Sequence, residues 1–158
     1  MHHKLLLVLI IAACAPAYAQ VNLGGMPMNG QDPLLPAPIT LQIPPVNISQ
    51  ALLEDSNTPG QNRFAAPVMV DIQPETAGAW TPVSDGKLWQ CALHAKGALG
   101  TVLMFDVFDL PPGSRFFVYT PDRKQILGAF SSESCTNSGK FLIGVVKGET
   151  AILEYFEP

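Results

Sequence analysis

The clearest pattern in the chain is an alternation with a period of two. In "KLWQCALHA", Trp89, Cys91 and Leu93 fall on one face, and Leu88, Gln90, Ala92 and His94 on the other. That is the spacing of a β-strand with two distinct faces. "FAAPVMVDIQP" alternates well enough to predict a strand, with Pro67 marking an edge or an entry point. "AGAW" predicts a further strand, joined to the "KLWQCALHA" strand through the turn "SDG". In "TVLMFDVF", Leu103 and Phe105 share a face. Phe108 and Leu110 continue it only if a bulge shifts the register near Asp106 and Val107. "RFFVYT" is apolar on both faces, which predicts a central strand covered on both sides. "QILGAF", "KFLIGVV" and "AILEYF" complete the set. Between them lie "PPGS", a type II turn with Pro112 and Gly113 at its centre, "TPDR", a type I turn, and the short turn "KGET". The one helical pattern is "ISQALLEDSN", with Ser49 as its cap and Leu52 and Leu53 as its apolar positions.

Seven to eight short strands bounded by turn chemistry predict an all-β fold, an antiparallel β-sandwich of jelly-roll-like form. Fifteen prolines and thirteen glycines in 158 residues suit such a chain and argue against a helical bundle. The proposed division is a signal peptide over 1–19, a Pro/Gly-rich leader with no core of its own over 20–60, and the sandwich over 61–158. Charge changes the picture by exclusion. The net charge of −4 and scattered Lys and Arg leave no basic footprint for nucleic acid.

The N-terminus reads as an export signal: "MHHK", then the apolar run "LLLVLIIAACA", then small residues at Ala17 and Ala19. Cleavage is expected between Ala19 and Gln20. A rival reading takes "IAAC" as a lipobox, with Cys14 lipidated. Either way the chain is expected to be exported, secreted or periplasmic, without a second apolar segment long enough to span a membrane. Cys91 and Cys135 then remain, and an even pair in an exported domain raises a disulfide between them. Against it, Cys91 suits a buried strand position and Cys135 a loop.

The chemistry on offer is thin. His94 is the only histidine after the signal segment, and no nucleophile loop or Gly-x-Ser-x-Gly elbow accompanies it. Asp106, Asp109 and Asp122 carry oxygen ligands but no calcium-loop spacing. Trp80, Trp89, Phe116, Phe117 and Tyr119 offer material for a sugar-stacking platform, although aromatics at alternating strand positions ordinarily fill a core. No metal-spaced cluster or phosphate-binding glycine loop is present, and no cofactor is expected. The residues alone give an exported β-sandwich with no catalytic residue in view.

From Ile48 to Pro158 the chain resembles the N-terminal region of precursors of secreted trypsin-like serine proteases of the lysyl endopeptidase type from Bacteroidetes-like bacteria. The resembling pieces are "ALLEDSN", "RFAAPVMVDIQPETAGAW", "DGKLWQCALHAKGALG", "MFDVFDLPPGSRFFVYTPDRKQILGAF" and "GKFLIGVVKGETAILEYFEP". The resemblance implies a β-sandwich pro-segment lying ahead of a trypsin-like domain that holds the catalytic His, Asp and Ser. The chain stops at "EYFEP", about where that domain would begin, so no catalytic residue carries over. Cys91 stands where the pattern leads one to expect an aliphatic residue. The implied role is non-catalytic: binding the protease domain, in cis or in trans, to assist its folding or block its cleft. The alternative is an exported carbohydrate- or surface-binding sandwich.

Overall fold

The computed structural model describes residues 22–158 apart from 59, 61, 62 and 137. The expected cleavage point at Ala19 and Gln20 and the lipidation at Cys14 lie outside the described residues. Eight strands run in chain order: β1 Ile39–Gln42, β2 Ala79–Val83, β3 Gly86–His94, β4 Gly100–Phe105, β5 Arg115–Tyr119, β6 Ile126–Phe130, β7 Phe141–Lys147 and β8 Thr150–Glu157. The helix α1 covers Ile48–Ser56. The fold is therefore all-β, in keeping with the alternation.

The strands form two unequal sheets. Six strands make a mixed sheet of order β1-β3-β8-β5-β6, with β2 pairing β3 beside β1; β4 and β7 form a two-stranded ribbon. Most pairings are antiparallel, but β1 runs parallel to β3, matching Ile39 with Cys91 and Gln42 with His94. The β2–β3 hairpin turns at Ser84 and Asp85, closing Val83 against Gly86. A Cβ on Gly86 would collide with the Glu157 carbonyl, so the close approach of β8 there requires glycine. Gly113, at φ 86°, and the Ser114 N–H donating to the Pro111 carbonyl give "PPGS" its type II geometry.

The period of two sorts side chains as expected. Trp89, Cys91, Leu93, Phe116, Val118, Phe130, Ala151, Leu153 and Tyr155 of the large sheet share one core with Phe141, Ile143 and Val146 of the ribbon. Burying each large side chain of this kind contributes about 1.5–3 kcal/mol relative to leaving it exposed. Phe108 stacks on Phe141 at 4.3 Å and meets Phe116 edge-on at 5.6 Å.

Three local expectations change. No bulge carries β4 through Asp106 and Val107. The strand stops at Phe105, and Phe108 and Leu110 enter the core from a loop, where the Phe108 N–H donates to the Gly139 carbonyl at 2.7 Å. The "LPP" that follows lacks the donors to continue a ladder. "FAAPVMVDIQP" is not a strand: its alternation finds no partner, and only Ile72 of its apolar residues packs on the core. In α1 the cap is Asn47, whose side chain accepts the Gln50 N–H at 3.0 Å, in place of Ser49. Leu52 and Leu53 stay exposed rather than packing down.

Candidate functional site

The second face of the large sheet holds Phe117, Tyr119 and Ala129, with Ile126 and Ile152 packed beside them. In the middle of this face, on β8, stands Glu154, a carboxylate that is 1% exposed. An ionised group so placed is tolerated only with a full set of donors. Gln90, its cross-strand partner on β3, donates from Nε2 at 3.1 Å, and the Tyr119 hydroxyl on β5 donates at 3.0 Å. The other two donors come from the N-terminal segment: the Met28 N–H bonds Oε1 at 2.5 Å and the Asn29 N–H bonds Oε2 at 3.2 Å.

These bonds anchor a strap. Residues 22–43 cross the sheet from one edge to the other. Leu23 donates to the Ala129 carbonyl at 2.9 Å, and Ala129 donates back to Gly24 at 3.0 Å, tying the strap to β6. The chain then passes the Phe117 ring on β5 at Gly25 and buries Pro27 completely. A 3-10 turn at Met28–Gly30 sits over Glu154 on β8, with Arg123 Nη2 donating to the Asn29 carbonyl at 3.1 Å and to its side-chain oxygen at 3.0 Å. The strap ends as β1 along β3, where Ile43 donates to the His94 carbonyl at 2.9 Å. Pro/Gly-rich sequence suits such a path, because it stays extended and follows a surface rather than folding on itself.

Between strap and sheet lies a cavity of about 200 Å³, lined by Met26, Met28, Gln31, Phe117, Glu154 and Phe156, with Asp85 and Arg115 also on its wall. The Tyr119 phenol is pushed far above its usual range, first by burial and then by the charge of Glu154 beside it. It is therefore a fixed donor to the carboxylate.

A second feature stands apart from the core. Helix α1 has no buried residue. Ile48, Leu52, Leu53 and Phe64 are all more than 60% exposed. Arg63 folds back to Glu54 at 2.8 Å and Asp55 at 2.9 Å, beside a shallow, open apolar hollow lined by Val46, Ile48, Leu52 and Phe64.

The residues singled out by sequence are scattered. His94 ends β3, with Nδ1 2.9 Å from the Thr150 hydroxyl and Nε2 3.9 Å from Glu149. Asp106 and Asp109 are exposed on the loop after β4. Asp122 lies on the β5–β6 turn, where hydrogen bonds from the Thr120 hydroxyl and the Lys124 N–H hold its carboxyl down at about 2. No three His, Cys, Asp or Glu residues converge as metal ligands among the described residues. Trp89 is buried and donates to the Ala77 carbonyl at 2.6 Å. Trp80 is half-buried against Tyr155, with the Lys87 ammonium 4.4 Å over its ring. Phe116, Phe117 and Tyr119 are buried, so these five aromatics build core and strap contacts rather than an open stacking platform.

Cys91 and Cys135 are both free, so the disulfide raised from the sequence is not formed. Cys91 is fully buried in the core face of β3, and burial pushes its thiol up. The Cys135 sulfur accepts the Leu110 N–H at 3.3 Å and points its own weak donor at the Ser131 carbonyl, which serves the loop that carries Phe108 and Leu110.

Sequence reasoning missed the Glu154 cluster. Its signal was a lone charge inside "AILEYF", matched by Gln90 inside "LWQCAL". No helix among the described residues is long and apolar enough to cross a membrane. No family model matches the chain, and no solved structure matches it.

Proposed function

We propose that the chain is the non-catalytic, pro-region-like β module of a secreted trypsin-like serine endopeptidase precursor, acting by binding the protease domain to assist its folding or block its cleft. The observation that carries this reading is the exposed apolar arm: Ile48, Leu52, Leu53, Phe64 and Met69 are all more than 60% exposed within one short stretch of chain. Clustered exposed apolar side chains of this size mark a surface that meets another protein. The resemblance supplies the partner, and its quoted stretches begin with this arm. A binder of the folded protease stabilises that state by mass action, and linkage in one precursor raises its effective concentration.

The test mixes the purified chain with the catalytic domain of a bacterial lysyl endopeptidase. The expected result is a complex on a sizing column, together with either slower substrate hydrolysis or faster recovery of activity on refolding. A Leu52→Asp, Phe64→Ser double variant should lose both, because its changes lie outside the core. Absence of any complex with the wild-type chain, or retention on insoluble polysaccharide instead, would overturn the reading.

A further inference from the structure

Arg63 is the only lysine or arginine between Asn22 and Gly86. It opens residues 63–78, the longest described run of the chain without helix or strand, ahead of β2. Arg63, Phe64 and Ala65 are exposed, Phe64 at 81%. Among the described residues, the backbone of 64–71 makes no hydrogen bond. Among the described residues the Arg63 side chain is held by Glu54 and Asp55, carboxylates about half and one-third exposed, and pairs this open to water are worth little.

The other basic residues of the described chain sit differently. Lys87, Arg115 and Lys147 are within strands. Lys96 is in a turn closed by Ala98 donating to Ala95, and Arg123 and Lys124 are in the β5–β6 loop closed by the Thr120 N–H donating to the Gln125 carbonyl. Lys140 directly precedes β7. An endopeptidase must draw an extended run of backbone into its cleft, which a tight turn between paired strands resists and an unbonded connector permits.

We propose that the Arg63–Phe64 bond is a processing site for an arginine-directed endopeptidase, and that cutting it turns the strap into a separate, non-covalently held subunit. Water adds across the amide, leaving a carboxylate on Arg63 and a free amine on Phe64. The strap residues that make the seating contacts all precede the cut: Leu23 and Gly24 on Ala129, Met28 and Asn29 on Glu154, and β1 against β3. All the strands they touch follow it. The strap therefore stays in place after cutting, but its hold becomes bimolecular, and a competitor or dilution can displace it where the intact chain cannot lose it. Its departure would uncover Phe117, Tyr119 and Glu154. The inference does not depend on a protease being the binding partner, and either proposal can fail alone.

The experiment is limited digestion of the purified chain with trypsin, followed by mass spectrometry and a native sizing column. The first cut within residues 22–158 should fall at Arg63–Phe64, at least about tenfold faster than any other there. The two pieces should co-elute at the size of the uncut chain and part in denaturant. Arg63→Gln should remove that product while later cuts keep their rates. A first cut at Lys96, Lys124 or Lys140, or separation of the pieces on the native column, would overturn the proposal.

Discussion

Replacing Glu154 by glutamine keeps the side chain's shape and removes its charge, which isolates what the carboxylate does for the strap. In the native site its two oxygens accept four bonds, from Met28, Asn29, Gln90 and Tyr119. Glutamine keeps one oxygen and turns the other atom into a donor. If the oxygen stays where three donors converge, the new NH₂ group faces the Met28 N–H. One bond is lost, a donor meets a donor, and the remaining bonds lose their charge assistance. A buried donor left unmade costs about 1–3 kcal/mol, and hydrogen bonds to charged groups are worth roughly twice neutral ones. The expected loss is about 2–3 kcal/mol, a large part of a typical domain stability of about 5–15 kcal/mol. For a chain of this size that lowers Tm by roughly 6–10 °C. The assay is thermal melting beside an exposed control, Asp106→Asn, expected to stay within about 0.5 kcal/mol of wild type. Amide exchange supplies the local readout: protection at Met28 and Asn29 should fall more than protection in β5 or β8. A Tm within a degree of wild type, or unchanged protection at those two amides, would refute the claim that Glu154 holds the strap.

Two further outcomes follow from the same geometry. Tyr119 titrates far higher in the fold than the ordinary phenol value of 10.0, because burial and Glu154 disfavour its anion. The unfolded chain therefore releases this proton first, so stability is whole below about pH 10 and falls above it by up to about 1.4 kcal/mol per pH unit. Tyr155, pushed up to about 12 by burial and by Glu157, adds in the same sense between pH 10 and 12. Urea melts from about pH 8 to pH 11 should show this decline, and Tyr119→Phe should flatten it; an equal slope in the variant would contradict the assignment. For the thiols, native iodoacetamide should reach Cys135 first and Cys91 only on unfolding. Equal native rates, or no labelling of either residue in unfolded, unreduced protein, would show the geometry to be wrong.

Much of the large sheet is legible in the sequence because alternation and turn chemistry agree. β3 declares its core face through Trp89, Cys91 and Leu93, and Gly86 and Gly113 mark the turns that lead into β3 and β5. Alternation alone is not enough. Residues 64–73 have the pattern of a strand without a neighbour to bond, and a strand exists only in a ladder. The reverse holds at Ile39–Gln42, which becomes β1 because His94 and its neighbours on β3 offer a free edge. Pairing across fifty residues leaves no local mark. The spacing of Phe108 from Phe105 suggests a bulged strand, yet a loop delivers the same ring to the same core.

The hidden part of the site follows from one pattern that is plain in the sequence. "RFFVYT" is apolar on both faces, and β5 lies between β8 and β6 in a sheet whose ribbon covers one side only. Something has to cover Phe117 and Tyr119 on the other side. The described chain has no spare helix with an apolar stripe for this, since α1 buries nothing. What remains is the Pro/Gly-rich stretch, which cannot bury a broad face by hydrophobic packing. It therefore needs a specific anchor, and a buried carboxylate accepting two of its backbone N–H groups provides one. Glu154, Gln90 and Tyr119 are polar at positions where the sheet's own packing would favour apolar residues. Their polarity makes sense only with the strap in place. The strap and the Glu154 cluster are thus one feature, encoded in two stretches of sequence about 126 residues apart.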